Sequence, residues 1–234
     1  MRTIYGVPVL DTLRELVDPR HAAVVVVDMQ NDFCHPDGHF PRNGKDVGAI
    51  IASVAPLVEF VQAAQARGVM VAFIRQLTLP HGMSDSPAWL RFKCRDGKSP
   101  EYTLQSSWGA ELVEGLEPGA RDVVVEKFRP DAFVRTPLDG ILRARGIQTL
   151  VVIGNATEGC VESTIRGGSY HDYYIVAVMD LISSTNAELH QGSQRLVRAR
   201  YPHADAKEVI AAWEDVAVEA AADGAAKDPS RAGA

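Results

Sequence analysis

Three side chains in this 234-residue sequence, Asp28, Lys127 and Cys160, combine the chemistry needed for proton transfer and nucleophilic attack. Cys160 follows an apolar run (Leu150 to Ile153), a glycine and a short polar segment (Asn155 to Gly159), and apolar residues at helical spacing resume after it. That pattern predicts a strand, a tight turn and a helix that begins at the cysteine. A thiol there meets unpaired N–H groups and partial positive charge, which favour thiolate. The same N–H groups can hold the negative oxygen of an attacked carbonyl. A small core cysteine suits the position too, because free cysteine is among the most buried residue types. Asp28 ends the run AAVVVVD, and Lys127 directly follows the run Asp122 to Glu126. Asp28 alone also reads as an Asx-type turn cap. Together the three give a thiol, a carboxylate to take its proton and a cation to steady the sulfur anion, and such clustered titratable groups mark functional sites.

The elements that must position these groups alternate along the chain. Valine-rich runs at Ala22 to Val27, Val69 to Arg75, Asp122 to Glu126, Gln148 to Ile153 and Tyr173 to Met179 read as strands buried on both faces, as in a parallel sheet. Apolar residues at helical spacing fall in Val47 to Arg67, Trp108 to Leu116, Leu138 to Arg145, Cys160 to His171 and Asn186 to Tyr201, with a closing strand and helix over Ala204 to Glu219. The alternation predicts an α/β fold: doubly wound, three-layered, Rossmann-like, with a mostly parallel central sheet and right-handed crossovers. Ligand sites of such sheets lie at the carboxyl ends of the strands, where Asp28, Lys127 and Cys160 all fall. Residues 76–107 form a long polar stretch with little periodicity, and a loop of that length is expected to act as a lid or binding wall.

Residues 1–20 read as an N-terminal arm with a short helix at Thr12 to Val17, residues 21–219 as a single domain, and residues 220–234 as a flexible tail low in bulky apolar side chains. Hydrophobic residues make up 46% and charged residues 23% of the chain, with a net charge of −6 and no Lys/Arg block, so neither nucleic acid nor an anionic membrane surface is an expected partner. No apolar run reads as long enough to span a bilayer, and the N-terminus lacks a signal peptide's basic start and continuous apolar core, which places the protein in the cytoplasm as an expectation. Cys34, Cys94 and Cys160 are too few and too widely spaced for a disulfide framework or a CxxC zinc site. His35, Asp37 and His39 alternate as a metal set would, but Pro36 and Gly38 between them favour a solvated loop, and no metal is expected.

The segments VVVVDMQNDF, VVVEKFRPDAF and VVIGNATEGCVESTIR carry a resemblance to the isochorismatase-like cysteine hydrolases that extends over roughly Ala22 to Trp213. The resemblance implies that Asp28, Lys127 and Cys160 form a catalytic triad. It further implies a cis peptide at Asn155–Ala156 that turns the Ala156 N–H toward an oxyanion, beside the N–H of Cys160. Within the family, Asp131 to Ile147 and Cys160 to Gly168 are most similar to amidohydrolases of small ureides, of ureidoacrylate or biuret type. The nicotinamidase branch carries an Asp-x-His metal pair after its second strand, whereas this chain has only His81 in RQLTLPHGMSDSP. Neither that metal nor nicotinamide is therefore expected.

The implied activity is hydrolysis of a C–N bond in a small linear amide or ureide through a covalent thioester or thiocarbamate, without a cofactor. The sequence leaves two rivals: an isochorismatase-type enol ether hydrolase, which a thiolate suits poorly, and a catalytically silent binding protein. Arg75 is a candidate to clamp a substrate carboxylate or carbonyl, or else a strand-end salt bridge. Glu158 can accept ureide N–H groups or stand as a solvated turn residue. Phe33 and Phe133 suit either a pocket wall or the core. A homo-oligomer, dimer or tetramer, is expected, with a small molecule as the other partner.

Overall fold

The computed structural model describes residues 1–95, 97, 99–214 and 216. An N-terminal hairpin, β1 (Arg2–Ile4) and β2 (Val7–Val9), precedes a one-turn helix α1 (Leu13–Leu16). The sequence shows the helix but not the hairpin, because three-residue strands lack periodicity to read. Thr12 caps α1, with Glu15 reaching back to complete a capping box. The chain continues through β3 (Ala22–Val27), two short helices α2 (Asn31–Cys34) and α3 (His39–Arg42), α4 (Gly48–Ala66) and β4 (Met70–Gln76). Then come α5 (Pro87–Lys93), β5 (Val123–Lys127), α6 (Leu138–Ala144), β6 (Thr149–Asn155), α7 (Glu162–Tyr170), β7 (Tyr174–Ser183), α8 (Ala187–Arg200) and β8 (His203–Ala204). Residues 206–214 are helical. The expected tail, 220–234, and the end of the closing helix at 217–219 lie outside the described residues.

Strands β3 to β8 form one parallel six-stranded sheet in the order β5-β4-β3-β6-β7-β8. Its faces alternate residue by residue, as the pleat requires. Val24, Val26, Val71, Phe73, Val151 and Ile153 pack with Ile50, Leu57, Phe60 and Trp213 on one side. Ala23, Val25, Ala72, Ile74, Leu150 and Val152 pack with Leu138, Leu142, Ile165 and Val197 on the other. Each fully buried Val, Leu or Phe contributes about 1.5–3 kcal/mol of transfer free energy, so two apolar layers hold the sheet rigid beneath its carboxyl edge.

Three expectations change. The predicted helix over Trp108 to Leu116 is a single 3-10 turn at Trp108–Ala110, because Gly109 lies against the Asp32 carboxylate and the chain is drawn into a β-bridge between Gln30 and Leu112. The unstructured stretch 76–107 contains α5, which Ser86 caps through Trp89 N–H at 3.2 Å and Pro87 opens. And α4, Gly48–Ala66, is long and apolar enough by composition to cross a bilayer, although Glu59 and Gln62 interrupt it; Ile50, Leu57, Phe60, Val61 and Ala64 bury one of its faces on the sheet.

The chain passes from β3 to β4 to β5 in one direction, then returns to lay β6 on the other side of β3. The strand order therefore reverses between β3 and β6, the place where open α/β sheets form their crevice. Contact there is close. Gly154 pairs with Val27 at a φ of +120°, and a Cβ on it would lie 2.2 Å from the Val27 carbonyl oxygen. Gly154→Ala is expected to destabilise the fold by about 3 kcal/mol or more, read as a shift of the denaturant midpoint, since it adds both a clash and a strained φ. A midpoint within error of the parent would show that β3 and β6 can part without cost.

Candidate active site

Asp28 sits one residue past β3 in a left-handed conformation, φ +52°, which a non-glycine residue adopts only where its surroundings hold it. They do so at both ends of the residue. Its N–H donates to the Ile74 carbonyl at 2.9 Å, and its carbonyl accepts from Gln30 N–H and from Asn155 Nδ2, each at 2.9 Å. The carboxylate is thereby turned toward β5, two strands away, where Lys127 projects from the strand end. Lys127 Nζ donates to Asp28 Oδ2 at 2.8 Å, to Gln76 Oε1 at 3.1 Å and to Cys160 Sγ at 3.3 Å. All three ammonium protons are used, and Lys127 becomes the bridge between acid and thiol. Gln76 is held in turn: its N–H donates to Gln30 Oε1 at 2.8 Å, and Gln30 Nε2 donates to the Gln76 carbonyl at 2.9 Å.

Cys160 does not begin an α-helix. It lies inside a π-helical turn, Thr157–Val161, that connects β6 to α7. Two residues of α8 tether this turn and the start of α7: His190 Nδ1 is 2.7 Å from Thr157 Oγ1, and Ser193 Oγ lies 3.5 Å from the Thr157 carbonyl and donates to Glu162 Oε2. The Asn155–Ala156 peptide that precedes it is cis. Asn155, Ala156, Glu158, Gly159, Cys160 and Asp28 line one end of a cavity of about 390 Å³.

Electrostatics here differ from the expectation of a resting thiolate. Burial pushes the Cys160 thiol up to about 12, the Asp28 charge adds to that rise, and Lys127 offsets only part of it. Burial opposes the Lys127 charge, but Asp28 and Cys160 more than compensate and hold its pKa above the ordinary lysine value. Burial therefore favours the protonated thiol, beside the Lys127–Asp28 contact of 2.8 Å. Asp28 Oδ1 is buried with no hydrogen-bond partner, the one oxygen of the pair left to receive a proton. Because only thiolate alkylates, the rate of Cys160 carboxamidomethylation is expected to climb about tenfold per pH unit from about pH 7 to 11. A plateau below about pH 9 would show a preformed thiolate.

The remaining expected residues divide. Phe33 walls the cavity, its ring 4.6 Å from Phe40 and 5.7 Å from Tyr102. Glu158 lines it too, with Oε2 buried and unpartnered. Arg75 does not reach it. Arg75 shares the sheet face of Val71 and Phe73 and pairs across the strands with Glu126 at 2.5 Å, so it is the strand-end salt bridge and not a clamp. Phe133 is core, stacked 4.9 Å from His171 and packed beneath α7. His35 packs edge-on to Trp108, whereas His39 turns into the cavity, where burial lowers its pKa; among the described residues no three His, Cys, Asp or Glu side chains gather as a metal set.

The stretch 76–107, expected as a lid or wall, does line the cavity through Gln76, Trp89, Lys93, Arg95 and Tyr102, none of which was singled out, and Lys45 was not expected. A Ser-Pro cap signal at Ser86–Pro87 marks the start of α5 and could have revealed Trp89. Strand alternation could have revealed Gln76, which shares the face of Ala72 and Ile74. Two carboxylates fasten the walls: Asp32 accepts from His39 N–H at 3.0 Å and Thr103 N–H at 2.6 Å, and Asp85 pairs with Lys93 at 2.9 Å.

A doubly wound parallel sheet whose switch point joins carboxylate, ammonium and thiol is the architecture of one group of α/β proteins, and the whole sequence agrees with that placement. The chain belongs to the isochorismatase-domain family, whose model matches residues 22–206. It is 35% identical over 188 residues to the ureidoacrylate amidohydrolase RutB of Methylobacterium radiotolerans, covering 76% of this chain and 73% of that one. Among solved structures it is similar to a cysteine hydrolase from Pseudomonas syringae pv. phaseolicola, with a TM-score of 0.76, 27% identity and coverage of 90% of this chain and 99% of that one. It is also similar to an N-carbamoylsarcosine amidase from Thermoplasma acidophilum, with a TM-score of 0.62, 25% identity and coverage of 80% and 96%.

Proposed function

We propose that the protein is a cysteine-dependent amidohydrolase that cleaves a non-peptide C–N bond of a small linear amide or ureide, of ureidoacrylate, N-carbamoyl, biuret or triuret type. The observation that carries this reading is the Lys127 ammonium bonded at once to Asp28 Oδ2 and Cys160 Sγ on the cavity floor. Relatives that act on ureidoacrylate and N-carbamoylsarcosine support it.

In the proposed reaction Asp28 takes the Cys160 proton as sulfur attacks the carbonyl carbon, so the thiolate forms only together with the C–S bond. This order suits a thiol held near 12. The carbonyl electron pair moves to oxygen and is met by the backbone N–H groups of Ala156 and Cys160. Collapse breaks the C–N bond, and protonated Asp28 gives its proton to the leaving ammonia or amine. Water then attacks the thioester or thiocarbamate, Asp28 takes a proton from it, and cleavage of the C–S bond returns that proton to sulfur. Lys127 stays charged throughout and balances the negative charge as it passes between Asp28 and sulfur. No cofactor enters this scheme.

The test is ammonia release from ureidoacrylate, N-carbamoyl amino acids, biuret, triuret and nicotinamide, with intact-mass detection of an adduct on Cys160 during turnover. Release from a ureide together with an adduct that localises to Cys160 is the expected result. Silence across all the ureides, or turnover with substrate mass on another residue, would overturn the proposal.

A further inference from the structure

We infer that Tyr102 is a substrate-binding residue of this site, its hydroxyl donating a hydrogen bond to an oxygen of the substrate that lies beyond the carbonyl under attack. This rests on the amidohydrolase reading and adds to it a contact that neither the triad nor the oxyanion donors supply. Tyr102 lines the cavity that holds Asp28 and Cys160. Its ring is gripped from several sides: the ring centres of Phe33 and His39 lie 5.7 and 5.8 Å away, and Lys93 Nζ stands 4.6 Å from its own centre. Lys93 is fixed in turn, at 1% exposure, by Asp85 and by a bond to Thr78 Oγ1 at 3.2 Å. A ring so held keeps its hydroxyl in one direction.

The backbone beside it is strained. Thr103 is β-branched and fully buried, yet its φ is +46°, a conformation that such a residue keeps only where its surroundings impose it. Asp32 Oδ2 accepts Thr103 N–H at 2.6 Å, and the Thr103 carbonyl accepts Thr78 N–H at 3.0 Å. Asp32 Oδ1 also accepts His39 N–H, so one buried carboxylate sets both Tyr102 and a ring packed against it. Strain of this kind collects where a side chain must be aimed. What is aimed here is a donor without an acceptor. Among the described residues Tyr102 forms its hydrogen bonds through the main chain, to the Pro100 carbonyl at 3.1 Å and from Thr103 Oγ1 at 2.8 Å, and its hydroxyl has none. A tyrosine hydroxyl drawn into a protein wall ordinarily finds a partner. Trp89 repeats the pattern in the same cavity, with a buried indole N–H that has no partner. Burial raises the Tyr102 phenol well above its ordinary value, and negative charge on Cys160 or Asp28 raises it further, so the group stays a neutral donor close to the reacting atoms. In the proposed reaction Ala156 and Cys160 serve the oxyanion and Asp28 serves the leaving nitrogen. The Tyr102 hydroxyl is left for another acceptor of the substrate.

Tyr102→Phe removes the hydroxyl and keeps the ring. Two ureides of similar shape read the difference: biuret, which has a second carbonyl, and N-isopropylurea, which has a methyl group in place of that oxygen. Binding of each to the full chain is followed as protection of Cys160 from iodoacetamide, by mass of the Cys160 peptide, so the reading does not depend on turnover. In the parent, biuret is expected to protect at the lower concentration. In Tyr102→Phe the biuret concentration for half-protection is expected to rise about tenfold, the scale of one hydrogen bond, with that for N-isopropylurea unchanged within about twofold. The alkylation rate without ligand stays at the parent value in the variant, which shows the thiol and its turn intact. A merely structural Tyr102 would weaken both ureides alike; that result, or no change for either, overturns the assignment and leaves the nucleophile standing. A Cys160 that neither ureide protects, in a parent that releases no ammonia from any ureide, overturns the amidohydrolase reading and this inference with it.

Discussion

Cys160→Ser is expected to abolish amide or ureide hydrolysis, with a loss of about 10⁴-fold or more in kcat. A serine hydroxyl is far harder to deprotonate than a thiol, and the only base within the triad, Asp28, is already engaged by Lys127. The substitution removes a half-buried sulfur from a turn pinned by His190 and Ser193, so the fold should be retained, with a stability change below about 1 kcal/mol. Ammonia release and a thermal melt on the same preparation separate the two effects. Residual activity above about one per cent of the parent, with the melt unchanged, would show that sulfur does not carry the reaction.

Asp28→Asn is expected to be nearly as damaging to catalysis and far more damaging to the fold. Loss of the proton acceptor costs about 10²–10⁴-fold in rate. The same change leaves the Lys127 ammonium at 0% exposure with Gln76 and a neutral thiol as its remaining partners. Breaking one side of a buried pair costs about 3–5 kcal/mol, chiefly the penalty of an uncompensated charge. Removing both charges should therefore recover stability: Asp28→Asn/Lys127→Met is expected to unfold at a higher denaturant concentration than Asp28→Asn alone, while remaining inactive. If the double variant were the less stable of the two, the Lys127–Asp28 pair would be holding the sheet ends together and not merely tolerated for its chemistry.

The sheet and the meeting of Asp28, Lys127 and Cys160 at its edge were legible because each rests on a short, strong local signal. Runs such as AAVVVV and TLVVIG are buried on both faces and β-branched, and a polar residue just past them can only lie at the sheet edge. The turn around Cys160 was read in the right place but in the wrong form. A π-helical turn and an α-helical N-terminus place the same residue types at almost the same spacing, so local sequence does not separate them; the turn observed is π-helical and contacts α8 through His190. Position along the strand left Arg75 open between a clamp and a strand-end salt bridge, and the face it takes gives the salt bridge with Glu126; its neighbour Gln76 points the other way and touches Lys127. The walls were the least legible part. Lys45, Arg95 and Tyr102 come from irregular segments whose shape depends on contacts such as Asp32 with Thr103, a pair separated by 71 residues and invisible to any local pattern.

The distances along the chain between the groups that meet at the switch point give the protein a built-in check on its own synthesis. Asp28 and Lys127 are 99 residues apart, and the Asp28 carbonyl and Asn155 are 127 apart. Loop closure over such separations is slow and follows the formation of local structure. A ribosome must therefore release most of the domain before acid, amine and thiol can assemble, and a chain cut short anywhere before Cys160 lacks a complete set. Fragments that stop short of Cys160 lack the thiol of the cluster, whatever helices and strand pairs they form.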